Sequence, residues 1–149
     1  MTVLVTGVTG LVGGLVAQSL VARGIGVRAL VRDLERGRMA LLGMSVEIVL
    51  GDFDQPDTVA EAATGCESMF LVTSDGDRQV TQEITAARAA VENGIEHIVK
   101  LSASDAGQRP YAWSVAHAER AAAISQLPVR HPFLPPPALQ YNFLSFPTV

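Results

Sequence analysis

The sequence is short of several residue types, and each shortage closes a route. Its 149 residues hold one cysteine, Cys66, so no internal disulfide can form, which suits a reducing compartment. Of the 11 basic residues only Lys100 is a lysine, and the formal net charge is −4. A protein that binds nucleic acid needs a basic face to neutralise phosphates, and this composition does not supply one. No apolar run approaches the roughly 20 residues of a membrane helix. The opening Met-Thr-Val-Leu-Val-Thr-Gly lacks the basic region of a signal peptide. The histidines, His97, His117 and His131, show no metal-ligand spacing with one another or with Cys66. There is no Gly-x-Ser-x-Gly elbow for a hydrolase and no Gly-Lys-Ser/Thr ending for a phosphate loop of the kinase or ATPase kind. These absences predict a soluble, cytoplasmic, single-domain chain with no metal and no nucleic-acid or membrane partner.

Apolar residues make up 48 % of the chain and charged residues 17 %. A domain of about 150 residues buries roughly two thirds of its surface, so a sizeable core is expected. Short apolar runs alternate with helical patterns. The runs at 3–6, 27–31, 46–50, 68–73 and 98–101 read as buried strands. Helices are expected from Leu11 to about Gly24, from Asp33 to about Leu42, from Pro56 to near Gly65, over 78–93 and over 113–125. In the fourth of these Val80, Ile84, Ala87 and Val91 share one face. Alternation of this kind means parallel strands joined by right-handed crossovers, with helices on both faces. The expected fold class is α/β, a doubly wound parallel sheet of Rossmann type.

The chain divides at about residue 128. Residues 1–128 carry the alternating pattern. Residues 129–149 form a proline-rich apolar tail: six of the eight prolines lie after residue 127. Proline cannot donate to a sheet ladder, so a central sixth strand is not expected there. Yet Phe133, Leu134, Leu139, Tyr141, Phe143, Leu144 and Phe146 are too apolar to face water. The tail reads as the remnant of a link to a larger lobe, and its apolar cluster predicts a homo-oligomer with this segment near the contact.

What the sequence does have is glycine at its first strand-to-helix junction. Gly7, Gly10 and Gly13 in "TGVTGLVGG" fall three apart, one residue longer at the front than the G-x-G-x-x-G fingerprint of dinucleotide sites. Gly7 suits the tight turn, Gly10 the approach of backbone to a pyrophosphate, and Gly13 the packing of helix on strand. The alternative is a turn that needs glycine and holds no ligand.

The second strand ends in Arg32, with Arg28 earlier in the strand. A guanidinium here favours the 2′-phosphate of NADP; Asp33 is the alternative, as a ribose acid for NAD. Asp52 in "LGDFD" can accept from an adenine amino group while Phe53 covers the ring, or Asp52 can simply shape a turn. Thr73 and Ser74 either line the nicotinamide half or end a strand.

The segments "TGVTGLVGG", "VRALVRD", "GDFDQPDTV", "FLVTS", "ENGIEHIVKLSAS" and "HAERAAAISQLP" together resemble the NmrA-like family of atypical short-chain dehydrogenase/reductases. That family contains NAD(P)H-dependent quinone reductases and regulators that bind the nucleotide without turning it over. The resemblance implies that Gly7, Gly10 and Gly13, with Thr9, Leu11 and Val12 between and beside them, hold the pyrophosphate. It implies Arg32 for the adenosine phosphate, Asp52 and Phe53 for adenine, and Thr73, Ser74 and Ser102 near the nicotinamide. The wider superfamily's Tyr-x-x-x-Lys acid is absent: the register reads Trp113-x-x-x-His117. His117 and Ser102 are therefore the candidate catalytic residues, His117 toward the ribose or substrate and Ser102 toward the substrate. Each also has a plain reading, as a helix-surface histidine and a strand-ending serine. Hydride transfer to a quinone needs little proton transfer from the protein, so the expected reaction is reduction of a quinone or similar electrophile. The rivals are a nucleotide sensor acting through a protein partner and a truncated homologue without activity.

Overall fold

A computed structural model describes residues 1–74, 76–104, 106–108, 111–136 and 139. Among these residues six strands and five helices alternate: β1 (Thr2–Val5), α1 (Leu11–Ala22), β2 (Gly26–Val31), α2 (Leu34–Ala40), β3 (Glu47–Leu50), α3 (Pro56–Ala63), β4 (Ser68–Leu71), α4 (Gln79–Glu92), β5 (His97–Leu101), α5 (Ala112–Ser125) and β6 (Phe133–Leu134). All pairings are parallel, in the order β3-β2-β1-β4-β5-β6. The order reverses between β1 and β4, where successive crossovers leave in opposite directions and open a crevice at the strands' C-terminal edge.

Each face of the sheet carries its own core. Val3, Val5, Val27, Ala29 and Val31 point to one side and pack with Ala17 of α1 and Leu41 after α2. Leu4, Leu30, Met69, Leu71 and Ile98 point to the other and pack with Val59, Ala86, Ala90 and Ile124 of α3, α4 and α5. The period-2 alternation within each strand produces this division. Among the described residues no helix is long and apolar enough to cross a membrane.

Three elements differ from the sequence reading. β4 stops at Leu71, short of Thr73, because Thr6 takes over the ladder: its Oγ1 accepts from Val72 N at 2.9 Å and donates to Val72 O at 2.8 Å. The buried face of α4 is rotated from the one expected. It consists of Gln79, Glu83, Ala86, Ala87, Ala89 and Ala90, with Val80, Ile84 and Val91 only half-buried. Finally, part of the segment expected as a tail joins the sheet. Arg130 O, Pro132 O, Leu134 O and Pro136 O accept from Ile98 N, Lys100 N, Ser102 N and Ser104 N at 2.8–3.2 Å. Pro132 and Pro136 return no donor, but their carbonyls still close rungs. The strand lies at the sheet's edge, which is where proline is tolerated. Tyr141, Phe143, Leu144 and Phe146 lie outside the described residues.

Candidate functional site

The glycine loop sits at the reversal point. Gly7 has φ +63°, and a Cβ there would lie 2.7 Å from Val72 Cγ1, so both backbone and space require glycine. A Cβ on Gly13 would lie 2.4 Å from Gly7 O and 2.6 Å from Thr6 O; its absence lets α1 rest directly on the loop. Gly10 differs, since a Cβ there would meet only Gly7 O, at 3.3 Å, and otherwise project into free space.

Gly10 is also the N-cap of α1. It has no side chain to cap with, and the first turn holds no acidic residue. The first-turn N–H groups therefore keep their positive end open toward the crevice, a ready anion site. Thr9 and Leu11 are exposed beside it, while Val12 is half-buried against the α1 face of the core.

On the β2–β3 side, Arg32 follows the end of β2, exposed and without an ion pair among the described residues. Its neighbours are committed elsewhere. Asp33 caps α2, its Oδ1 accepting from Arg36 N at 3.1 Å. Arg28 pairs with Glu47 at 2.7 Å and donates to Ala62 O and Thr64 O, tying β2 and β3 to the end of α3. Asp52 shapes a turn, its Oδ1 accepting from Asp54 N at 3.0 Å, and Thr58 Oγ1 accepts from Asp52 N. Phe53 is half-buried and packs on the α3 face of the core. One carboxylate oxygen of Asp52 takes no hydrogen bond among the described residues.

On the β4–β5 side, Thr73 follows Val72 past the end of β4, half-buried, and Ser74 is exposed. Ser102 is buried at the end of β5 and its N–H donates to Leu134 O at 2.8 Å. His117 lies on α5, half-buried, with its ring edge-on to Trp113 at 6.4 Å; Trp113 stacks on Tyr111 at 6.2 Å. The fold thus gathers the expected residues along one sheet edge. Arg32, Asp52 and Phe53 stand on one side of the glycine loop, and Thr73, Ser74 and Ser102 on the other.

A second group behind this edge was not expected. Glu83, Lys100 and Arg120 are completely or almost completely buried. Lys100 Nζ lies 2.5 Å and Arg120 Nε 3.1 Å from Glu83 Oε2, and Lys100 Nζ also donates to Leu101 O at 3.0 Å. Glu83 Oε1 accepts from Thr73 Oγ1 at 2.7 Å, and Thr73 Oγ1 accepts from Gln79 Nε2 at 3.1 Å. Burial pushes the Lys100 ammonium below the ordinary lysine value, with Glu83 opposing the shift. The sequence carries one signal of this group: a lysine inside the apolar run of a strand, which is stable there only with a buried partner.

A parallel sheet that reverses its order at a glycine loop and an uncapped helix N-terminus defines a dinucleotide-binding domain of the Rossmann type. The family model described as the NmrA-like family matches residues 1–127, and the chain belongs to that family. Among curated proteins, it is 40 % identical over 100 residues to (4-alkanoyl-5-oxo-2,5-dihydrofuran-3-yl)methyl phosphate reductase of Streptomyces griseus, covering 67 % of this chain and 34 % of that protein. It is 33 % identical over 97 residues to an NAD(P)H azoreductase of Xenophilus azovorans, covering 65 % and 34 %. Among solved structures, Citrobacter sp. triphenylmethane reductase complexed with NADP(H) superposes with a TM-score of 0.85 at 26 % identity, over 97 % of this chain and 52 % of that one. The chain spans about a third to a half of the length of these relatives.

Proposed function

We propose that the chain is the NADP(H)-binding part of a reductase that passes hydride to a quinone or a similar small electrophile. The observation that carries this is the open N-terminus of α1 at the sheet's reversal point, where Gly10 leaves room for a pyrophosphate and the first turn offers it N–H groups. Arg32, exposed and unpaired among the described residues, serves the 2′-phosphate. The second carboxylate oxygen of Asp52 takes the adenine amino group, with Phe53 beside it. Thr73, Ser74 and Ser102 border the nicotinamide half, and His117 reaches the ribose or the substrate. The reduced nicotinamide, when bound, supplies the hydride. The likeness to a triphenylmethane reductase complexed with NADP(H) and to an NAD(P)H azoreductase supports this reading.

A second reading, a nucleotide sensor that performs no chemistry, is favoured by one observation. His117 stands where the lysine supporting a tyrosine acid would be and Trp113 where the phenol would be, and Lys100, the chain's one lysine, is locked in the buried group with Glu83 and Arg120. The two readings part in a steady-state assay of NADPH oxidation with a panel of quinones and azo dyes, run beside a cofactor titration. Turnover supports the reductase; micromolar binding with no turnover supports the sensor; absence of binding overturns both. The same reading assigns the apolar side chains of positions 133–146 to a contact between copies of the chain.

A further inference from the structure

Buried polar side chains need partners, and in this protein their placement is uneven. Among the described residues the buried polar and charged ones are Thr6, Gln79, Glu83, Lys100, Ser102, Ser114 and Arg120. All but Thr6 belong to α4, the end of β5 and α5, and four of them, Gln79, Glu83, Lys100 and Arg120, form one linked group with Thr73. At its centre a single carboxylate faces two cations. Oε2 of Glu83 takes both ion pairs, and Oε1 is left for the Thr73 hydroxyl.

The chemistry of this arrangement fixes the direction of each hydrogen bond. Facing Lys100 and Arg120, Glu83 serves as a carboxylate, which can only accept. The Thr73 hydroxyl has one proton, and at 2.7 Å that proton points to Glu83 Oε1. Gln79 must then present its NH2 group to Thr73 Oγ1, at 3.1 Å, since its carbonyl oxygen would find no donor there. A hydroxyl has two lone pairs. One is taken by Gln79; the other takes no hydrogen bond among the described residues, and Thr73 is half-buried. Thr73 is thereby an acceptor with nothing left to donate.

We propose that Glu83, with its charge held by Lys100 and Arg120, is a positioning residue that turns the Thr73 hydroxyl inward, so that the nicotinamide end of the crevice selects a ligand presenting a hydrogen-bond donor, the carboxamide NH2. The inference rests on the cofactor reading above and adds the group that orients one of its contacts. A ligand offering an acceptor at that point meets an oxygen lone pair and is disfavoured.

The test compares three ligands by calorimetric titration at one ionic strength: NADPH, its reduced 3-acetylpyridine analogue, in which a methyl replaces the carboxamide NH2, and 2′-phospho-ADP-ribose, which has no nicotinamide. The unmutated protein should bind NADPH about tenfold more tightly than the analogue, the worth of one good hydrogen bond. Thr73→Val should bring that ratio close to one and leave 2′-phospho-ADP-ribose affinity unchanged; Thr73→Ser should keep the ratio. Glu83→Gln should lose the ratio as Thr73→Val does, and combining the two should cost nothing further. If Glu83→Gln fails to fold by circular dichroism, Glu83→Gln/Lys100→Met removes one charge of each sign and takes its place, while the Thr73 arms decide the acceptor role without either. A ratio near one in the unmutated protein, or one that survives in Thr73→Val or in a folded Glu83 variant, overturns the proposal while 2′-phospho-ADP-ribose binding leaves the cofactor reading standing. If none of the three ligands binds, both fall together.

Discussion

Gly7 O stands 2.4 Å from where a Cβ on Gly13 would be, but 3.3 Å from where one on Gly10 would be. Two glycines of one motif thus have separable duties. The first contact is far inside van der Waals separation and involves backbone, so neither partner can move aside without shifting α1. The second is tight but tolerable, and the rest of the space around Gly10 is free.

Gly13→Ala should therefore destabilise the fold by roughly 1–3 kcal/mol or more, the range of overpacked sites, visible as a lowered midpoint in urea. Gly10→Val should leave that midpoint nearly unchanged and weaken NADPH binding by about tenfold or more, because its side chain occupies the place of the pyrophosphate. Equal NADPH affinity in Gly10→Val and the unmutated protein would remove the phosphate role from the loop.

Arg32 gives the second expectation. An exposed guanidinium without another ion pair should make NADPH bind about tenfold more tightly than NADH, and the gap should narrow as salt rises, since the pairing is screened. Arg32→Ala should abolish most of it. Equal affinity for the two cofactors in the unmutated protein would return Arg32 to an ordinary surface residue.

Lys100 gives the third, and its sign follows from burial. The ordinary lysine value is 10.5, and in the folded protein burial lowers it. Between the lowered value and 10.5 the unfolded chain binds more protons than the folded one. The contribution of Lys100 to stability therefore rises with pH across that window and is smallest below it. Lys100→Met removes the titration. Urea unfolding from pH 7 to 10.5 should show the unmutated protein gaining on the variant as pH climbs; parallel or converse curves would contradict the buried, desolvated amine.

The fourth concerns association. Leu134 is 46 % exposed at the sheet edge, next to a sequence that adds Leu139, Tyr141, Phe143, Leu144 and Phe146. Light scattering on the full chain should give a dimer or larger species, and Leu134→Asp should shift it toward monomer. A monodisperse monomer before mutation would refute the contact.

The residues that were legible in the sequence are those whose role is local. Gly7 and Gly13 announce themselves because only glycine fits their turn and their contact. Gly24, Gly65 and Gly94, each with positive φ, follow α1, α3 and α4, where a left-handed residue ends a helix. The group linked to Thr73 was not legible, because its partners are far apart in sequence. Glu83 looks like a solvent-facing charge on α4 until Lys100 and Arg120, 17 and 37 residues later, are brought against it. That pairing turns the helix so that Glu83 faces inward and Ile84 is half-exposed. β6 escaped for a different reason. Its prolines weigh against a strand in general, but not against one whose carbonyls alone are needed at those rungs.

The same edge strand has a consequence for aggregation. Arg130, Pro132, Leu134 and Pro136 turn their carbonyls toward β5, so in a pleated strand the intervening His131, Phe133 and Pro135 turn their backbone outward. Only His131 and Phe133 can offer an N–H there, and Pro135 ends the row. Such a short, interrupted row is a poor template for an incoming strand, and it protects the open edge against runaway sheet growth. In the association proposed above, that row favours contact through side chains over continuation of one another's sheets.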